Sequence, residues 1–223
     1  MPKRKLFKYA KLLEFKNVLQ PVDKLVTEDF FLKGLWHKNY FGNNNPIILE
    51  LGCGKGEYTL ALSEMYPQNN FIGIDNKGDR LYNAGKIAIE KNLTNAAFIR
   101  TQIQFIEKFF AANEINEIWI TFPDPQLQKP NHRKRLTSSE FLNRYRNIVK
   151  PNSIVHLKTD NIPLFDYTLD VLNELKQEIE FVTRDLYAET NIDALLSVKT
   201  HYEKLFSSRG AKINYLRFRL NLA

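Results

Sequence analysis

The amino-acid sequence predicts an α/β protein with a mostly parallel sheet and helices on both of its faces. Two observations lead to this prediction. Short apolar runs alternate with stretches whose apolar residues recur at helical spacing, and the runs are apolar at consecutive positions. Strands that are apolar on both faces are buried between helices, which is typical of parallel sheets. Ligands of such sheets bind at the carboxyl ends of the strands, so the residues that follow each strand are candidates for a site.

The first half of the chain supplies four predicted strands. They are the apolar runs at 46–51, 70–75, 96–101 and 117–122. Apolar residues at helical spacing follow the first three of them, and this spacing predicts helices over 56–67, 78–92 and 103–113.

The second half continues the alternation. Ser138 or Thr137 can cap a helix, with Glu140 close behind in its first turn. Further elements are predicted as a strand at 153–159, a helix at 163–177, strands at 179–187 and 212–220, and a helix around 201–208. We expect the two late strands to pair in antiparallel fashion. Residues 1–40 precede the alternation and are predicted to be a basic N-terminal extension, and residues 41–223 form the main domain.

Composition excludes several classes of protein. A chain of 223 residues with 43% hydrophobic and 26% charged residues is neither disordered nor fibrous. Its one cysteine, Cys53, cannot form an internal disulfide, and no apolar run approaches the ~20 residues that cross a bilayer. We therefore expect a cytoplasmic protein without a membrane partner. Its four histidines are scattered without metal-ligand spacing, so no metal site is expected.

The positive charge is concentrated in two segments. The net charge is +7, but residues 1–16 hold six basic residues against one acidic residue, and residues 129–150 hold seven against one. Two basic segments on an otherwise acidic chain indicate a polyanionic partner, of which nucleic acid is the commonest. The alternative is a solvated basic tail together with an exposed basic helix face.

The loop after the first strand has the pattern expected for a cationic ligand. It reads Glu50-Leu-Gly52-Cys-Gly54-Lys-Gly56-Glu57, so carboxylates stand on both sides of three glycines. A dinucleotide pyrophosphate would be repelled by these carboxylates, and Glu57 occupies the place of its third glycine. A ligand with an ammonium and a sulfonium group would be attracted, which favours S-adenosylmethionine. Glycines that merely permit tight packing are the alternative.

Two further acids follow strands at the same edge of the sheet. Asp75 ends the second strand, where an acidic residue commonly binds ribose hydroxyls. Asp124 follows the fourth strand between Pro123 and Pro125, which stiffen the turn. A Pro-Asp-Pro sequence is also a good turn former without any function. Because the basic run comes directly after Asp124, a phosphate backbone could lie beside this position, which favours a methyltransferase that acts on nucleic acid.

These motifs together resemble the bacterial tRNA (guanine-N7-)-methyltransferase family. The resemblance rests on LELGCGKGEY, FIGID, WITFPDPQLQK, LKTD and THYEKLFSSRGAKINYLRF, and it extends over nearly the whole chain. It implies a Rossmann-like class I methyltransferase fold, with a seven-stranded sheet whose last strand is antiparallel. It also implies methyl transfer from S-adenosylmethionine to N7 of guanine at position 46 in the variable loop of tRNA, giving 7-methylguanosine. We expect the basic N-terminal extension, residues 1–40, to contact this tRNA.

The resemblance implies roles for individual residues. Asp124 is expected to be catalytic. Donor-binding positions are expected at Glu50, Gly52, Gly54, Gly56, Asp75, Gln102 and Asp124. Substrate-binding positions are expected at Lys129, Arg133, Asp160, Thr200, His201, Tyr202 and Glu203.

This chain departs from the family pattern at three places. Asp75 replaces the usual glutamate, and Gln102 stands where the family commonly has an acid. The lysine expected at position 128 is Gln128, and Lys129 is its candidate substitute. Three other functions remain as alternatives. The protein could be a methyltransferase of another RNA, of a protein or of a small molecule. It could also be a nicotinamide-dependent oxidoreductase or a catalytically silent RNA-binding protein. We expect a monomer or homodimer with no obligate protein partner.

Overall fold

The fold is that of a single eight-stranded sheet flanked by helices. The computed structural model describes residues 3–21, 28–190, 192–200, 203, 205, 207 and 210–221, with the side chains of residues 3–5 and 129 outside the description. The strands are β1 (Val18–Leu19), β2 (Ile47–Leu51), β3 (Asn70–Asp75), β4 (Ala96–Arg100), β5 (Ile115–Thr121), β6 (Val149–Thr159), β7 (Glu178–Thr183) and β8 (Asn214–Leu220). Their order across the sheet is β1-β4-β3-β2-β5-β6-β8-β7.

Five longer helices cover the sheet. They are α1 (Lys3–Leu12), α2 (Glu57–Met65), α3 (Gly78–Glu90), α4 (Ser139–Arg146) and α5 (Ile162–Glu174). The hydroxyl of Ser138 caps α4 by accepting a hydrogen bond from the Phe141 N–H at 3.4 Å, as the sequence predicts. The Asn161 side chain caps α5 in the same way, by accepting from the Leu164 N–H. No helix among the described residues is both long and apolar enough to span a bilayer.

The strand order explains where a ligand can bind. β2 pairs in parallel with β3 on one side and β5 on the other, and β5 pairs in parallel with β6. The chain therefore leaves β2 toward β3 and β4, and later returns to build β5 and β6 on the opposite side. This reversal is the switch point at which ligands enter such sheets, because the loops after β2 and β5 diverge there.

The predicted fold class is confirmed, with one addition and two local differences. The strand predicted at 179–187 ends at Thr183, and Leu186–Ala188 form a short 3₁₀ helix. β8 runs antiparallel between β6 and β7, as expected for the last strand. The additional strand is β1, a two-residue edge strand that pairs in parallel with β4. The stretch predicted as a helix at 103–113 is a 3₁₀ helix, Ile103–Lys108, because the chain turns there toward β5. The predicted helix around 201–208 lies largely outside the described residues, although Glu203, Leu205 and Ser207 are helical.

Residues of the predicted N-terminal extension pack against the rest of the molecule. Val18 of β1 is buried, and the Trp36 side chain is fully buried in the main core. The Trp36 indole N–H donates to the Phe109 carbonyl at 2.9 Å. α1 lies along α3, where Tyr9 sits beside Gly78 so closely that a Cβ there would come within 2.6 Å of its ring. The segment from Lys3 to residue 21 therefore packs along α3 and extends the sheet at its β4 edge.

Candidate active site

A cleft of about 930 Å³ opens at the carboxyl ends of β2 to β6. A second cavity of about 70 Å³ adjoins it over the glycine loop. The cleft is lined by residues that follow five strands, among them Gly52, Asp75, Gln102, Asp124 and Asp160. The small cavity is lined by Glu50, Gly52, Cys53, Gly54, Lys55, Glu57, Arg80, Thr121, Phe122 and Thr200.

The three glycines of the loop are required for different structural reasons. All three have a positive φ, at 75° for Gly52, 57° for Gly54 and 68° for Gly56, which an L side chain rarely adopts. At Gly56 a Cβ would come within 2.7 Å of the Phe98 ring, so this glycine permits helix–sheet packing. At Gly52 and Gly54 the nearest side-chain atoms would be 3.9 Å and 4.0 Å away, so a Cβ there would occupy the space of the cavities. The loop thus leaves its backbone open to a ligand at two positions.

Glu50 is a buried carboxylate at the end of β2. Its Oε2 accepts hydrogen bonds from the Thr59 N–H at 2.9 Å and from the Thr59 hydroxyl at 2.5 Å. Its Oε1 accepts from the Thr121 hydroxyl at 2.8 Å, so the side chain is fixed between α2 and β5. Burial raises the pKa of Glu50 to about 7, against the opposing effect of these hydrogen bonds. No cation pairs with this carboxylate among the described residues, which makes it a candidate partner for a cationic ligand.

Asp75 links the glycine loop to the start of α3. Its Oδ2 accepts a hydrogen bond from the Gly54 N–H at 2.9 Å, and its Oδ1 accepts from the Lys77 N–H at 2.7 Å. The carboxylate therefore holds both loops that border the cleft. Gln102, the amide at the acidic position of the family, also lines the cleft and begins the 3₁₀ turn after β4.

Asp124 lies exposed at the floor of the cleft on a strained turn. Its Oδ1 accepts a hydrogen bond from the Gln126 N–H at 3.1 Å, which closes an Asx turn. Phe122 and Gln126, two residues to either side, have φ values of 48° and 46°, which non-glycine residues rarely adopt. The Phe122 N–H is also fixed to the Lys158 carbonyl at 2.8 Å. Strain of this kind persists where the surrounding structure imposes it, and it is concentrated at functional sites.

The basic segment divides into supporting and exposed residues. Arg135 is buried, its Nε donates to the Pro125 carbonyl at 2.9 Å, and its guanidinium lies 4.3 Å from the centre of the Tyr167 ring. It therefore holds the turn that carries Asp124. Arg144 pairs with Glu107 at 2.7 Å. Arg133, a predicted substrate residue, lines the cleft with 84% of its side chain exposed.

The LKTD motif contributes a fully buried ion pair behind the cleft. The Lys158 Nζ lies 2.9 Å from Oε1 of Glu203, and neither side chain is exposed. The same Nζ donates to the carbonyls of Leu196 and Val198, each at 3.2 Å, so all three of its protons have partners. The Glu203 carboxylate also accepts a hydrogen bond from the Tyr187 hydroxyl. Burial lowers the pKa of Lys158, and the nearby Glu203 opposes that effect.

The predicted substrate residues 200–203 include a capping box. Thr200 Oγ1 accepts from the Glu203 N–H, and Glu203 Oε2 accepts from the Thr200 N–H, each at 3.2 Å. Thr200 lines the small cavity, whereas Glu203 has no exposed surface. His201, Tyr202 and the Lys129 side chain lie outside the described residues, and Asp160 lines the cleft.

The structure brings most of the predicted site residues together. Glu50, the glycines, Asp75, Gln102, Asp124, Arg133, Asp160 and Thr200 all border one of the two cavities or support the loop between them. Sequence reasoning missed Arg80, which lines both cavities, and Lys158, whose buried charge is not visible in an apolar strand pattern. It also missed Thr59 and Thr121, the hydroxyls that fix Glu50.

Cys53 is not activated as a nucleophile. Its thiol is buried in the glycine loop, and burial together with the negative charges of Glu50 and Asp75 raises its pKa well above the usual value. Among the described residues, no group of three or more His, Cys, Asp or Glu side chains could hold a metal ion.

Comparison with known proteins gives a consistent set of relatives. A family described as putative methyltransferase matches residues 44–216. A tRNA (guanine-N(7)-)-methyltransferase of Bacteroides thetaiotaomicron is 45% identical over 99% of this chain and 87% of its own length. The enzyme of the same name from Christiangramia forsetii is 46% identical over 98% of both chains.

Solved structures with the same fold are more distant in sequence. The 16S rRNA methyltransferase KamB is 12% identical, with a TM-score of 0.63 over 85% of this chain and 92% of its own. A 16S rRNA (adenine(1408)-N(1))-methyltransferase from Catenulisporales acidiphilia, solved with its cosubstrate SAM, is 14% identical, with a TM-score of 0.55 over 83% of this chain and 90% of its own. At this identity the likeness extends to the fold alone.

Proposed function

Since the chain belongs to the tRNA (guanine-N(7)-)-methyltransferase family, we propose that its cleft transfers a methyl group from S-adenosylmethionine to N7 of a guanine in tRNA. The observation that carries the proposal is the juxtaposition of the glycine loop with Asp124 across one cleft. The donor loop and the turn that meets the base follow β2 and β5, which are neighbours in the sheet.

The residues where the small cavity meets the cleft fit the donor. Glu50 is a buried carboxylate without a cation partner among the described residues, and the donor carries an ammonium and a sulfonium group. Gly52 and Gly54 leave open the space that a Cβ would fill, so the backbone can approach a ligand closely. Asp75, at the end of β3, stands where an acidic residue commonly binds ribose hydroxyls. When bound, the donor supplies an electrophilic methyl group on a positively charged sulfur.

The reaction does not require a general base. N7 of guanine carries a lone pair in the plane of the ring and no proton, so it can attack the methyl carbon directly. The carbon–sulfur bond breaks as the nitrogen–carbon bond forms, and the positive charge moves from sulfur to the base. The protein therefore contributes mainly alignment of the two reactants, which can supply several kcal/mol.

Asp124 is the residue we place beside the guanine. Its carboxylate can accept hydrogen bonds from the N–H groups at the base edge and stabilise the positive charge that develops on the ring. The Asx turn and the strained φ of Phe122 and Gln126 hold it at the strand end. Arg135, which binds the Pro125 carbonyl, supports the same turn from below.

The rim of the cleft suits an RNA backbone. Arg133 and Lys134 line it and are exposed, and Lys77 lies on the opposite side of the same cleft. Exposed cations on the rim of a cleft can bind phosphates without reading the base sequence. We therefore assign tRNA binding to the rim and base recognition to Asp124 and Asp160 at the floor. Lys129, a candidate for the missing lysine at 128, belongs to the same segment.

Two matched transcripts test whether the methylated guanine lies in the variable loop. One is an unmodified tRNA with guanine at the family's target position, and the other carries adenine there. We expect methyl transfer to the first transcript and a rate at least about a hundredfold lower with the second, since N7 of an adenine lacks the carbonyl neighbour of guanine. Equal transfer to both transcripts would place the methylated base elsewhere in the RNA.

A further inference from the structure

Arg80 occupies a position between the two cavities. It lies in the first turn of α3, five residues after Asp75, and its side chain lines both the cleft and the small cavity. Its Nη1 would be 4.0 Å from a Cβ built on Gly54, so the guanidinium faces the glycine loop. Its charge also acts on the Cys53 thiol within that loop. The guanidinium therefore borders the proposed donor site.

Arg80 has no carboxylate partner in the part of the chain that the structure describes. Other arginines that approach an acid do form ion pairs, including Arg144 with Glu107 at 2.7 Å and Arg184 with Asp166 at 2.6 Å. The half-buried guanidinium carries five N–H donors and forms no ion pair with an acid among the described residues, so it is set to bind an anion that is not part of the protein.

The small cavity carries charges of both signs. Glu50 and Glu57 supply carboxylates, and Lys55 and Arg80 supply cations. An amino-acid head group has the complementary pair, an ammonium and a carboxylate. Lys55 is exposed, whereas Arg80 is half-buried and also reaches the cleft, which makes Arg80 the better placed of the two cations.

We propose that Arg80 binds the carboxylate of the methionine part of the donor, while Glu50 binds its ammonium. This inference rests on the proposed function, because it presumes that S-adenosylmethionine is the donor. The planar guanidinium fork matches a carboxylate through two parallel hydrogen bonds. An RNA phosphate is the competing ligand, but the exposed Arg133 and Lys134 on the rim are more accessible to a backbone than Arg80 is.

The test compares two ligands that differ by the carboxylate alone. Dissociation constants are measured by calorimetry for S-adenosylmethionine and for its decarboxylated form, without RNA. For the Arg80→Met variant we expect binding of S-adenosylmethionine to weaken about ten- to a hundredfold, the usual range for a charged hydrogen bond. Binding of the decarboxylated form should change less than about twofold. Arg80→Lys should recover only part of the affinity, because an ammonium lacks the fork.

A matched control separates this contact from the general loss of charge. Lys86 lies on the same helix, lines neither cavity and pairs with Glu90 at 3.4 Å, so Lys86→Met removes the same charge away from the site. It should leave both dissociation constants unchanged. An equal loss for both ligands in Arg80→Met would overturn the carboxylate assignment. So would unchanged donor binding with a raised KM for tRNA, which would assign Arg80 to a phosphate. Failure of the wild-type protein to bind either ligand would instead overturn the proposed function.

Discussion

At the scale of single residues, Asp124 gives the sharpest prediction. Asp124→Asn keeps the size of the side chain and its Asx turn but removes the charge that stabilises the methylated base. We expect kcat to fall by about a hundredfold or more, and the dissociation constant of the donor to change less than about threefold. Single-turnover transfer and calorimetric donor binding measure the two effects. Wild-type turnover in the variant would remove Asp124 from the reaction.

The raised pKa of Glu50 predicts that donor binding depends on pH. Its pKa is raised to about 7 by burial, so below that pH the carboxyl is largely protonated. A cationic ligand favours the ionised form, and binding must then release a proton. Affinity for S-adenosylmethionine should therefore weaken as the pH falls from 8 to 6, by at most about tenfold per pH unit. Calorimetry in buffers of different ionisation enthalpy measures the released proton.

The control for this linkage is Glu50→Gln. The amide cannot ionise, so the variant should bind the donor more weakly and with the same affinity at pH 6 and pH 8. A wild-type dissociation constant that stays constant across this range would show that the donor does not contact the Glu50 charge.

At the residue scale, the sequence predicts which residues belong to the site better than it predicts their burial and hydrogen bonds. The acids at the ends of β2, β3 and β5 could be predicted because each follows an apolar run and the strand ends share one edge of the sheet. The hydrogen bonds that fix Glu50 could not, since Thr59 and Thr121 come from elements that are distant from each other in the chain. The burial of Glu203 was hidden in the same way, because its partner Lys158 is 45 positions away in an apolar strand.

At the scale of elements, the Lys158–Glu203 pair joins the end of β6 to the capping box that begins at Thr200. Lys158→Met would leave the Glu203 carboxylate buried and unpaired, and we expect it to lower the free energy of unfolding by about 3–5 kcal/mol. Chemical denaturation measures this change. Lys158→Met combined with Glu203→Leu should recover much of the loss, because neither charge then remains.

An exposed pair provides the comparison for that experiment. Arg184 and Asp166 lie 2.6 Å apart with about half of each side chain exposed, and Arg184→Met should cost no more than about 1 kcal/mol. If Lys158→Met proved as mild as Arg184→Met, the buried pair would not hold this segment.

The elements were predicted with uneven success, for a physical reason. β2 to β6 and their helices follow from apolar runs and caps, which are local features of the chain. β1 is only two residues long and exists because Val18 pairs with Phe98, a contact that no local pattern reveals. The short helix Ile103–Lys108 differs from the predicted longer helix because the chain must turn within a few residues to reach β5.

At the scale of the whole molecule, the basic N-terminal segment packs beside residues next to the lining of the cleft. The Tyr9 ring lies beside Gly78 and 4.6 Å from the Arg100 guanidinium, and residues 77 and 101, next to these two, line the cleft. Replacing Lys3, Arg4 and Lys5 with glutamine keeps Tyr9 in place but removes three charges. We expect weaker tRNA binding and a salt dependence shallower by up to about one unit of slope per lost phosphate contact.

Equilibrium binding of tRNA across a salt series measures that slope. Lys86→Gln, on the outer part of α3, serves as the control and should leave the slope unchanged. If the triple variant kept the wild-type slope, the N-terminal segment would be a solvated tail rather than a binding surface.

The proposed reaction is tested by methyl transfer from labelled S-adenosylmethionine to unmodified tRNA, followed by digestion and identification of the nucleoside. We expect labelled 7-methylguanosine from the wild-type protein, and at least about a hundredfold less from Asp124→Asn. A different methylated nucleoside, or no transfer from a donor that binds, would contradict the assignment of the cleft to N7 of guanine.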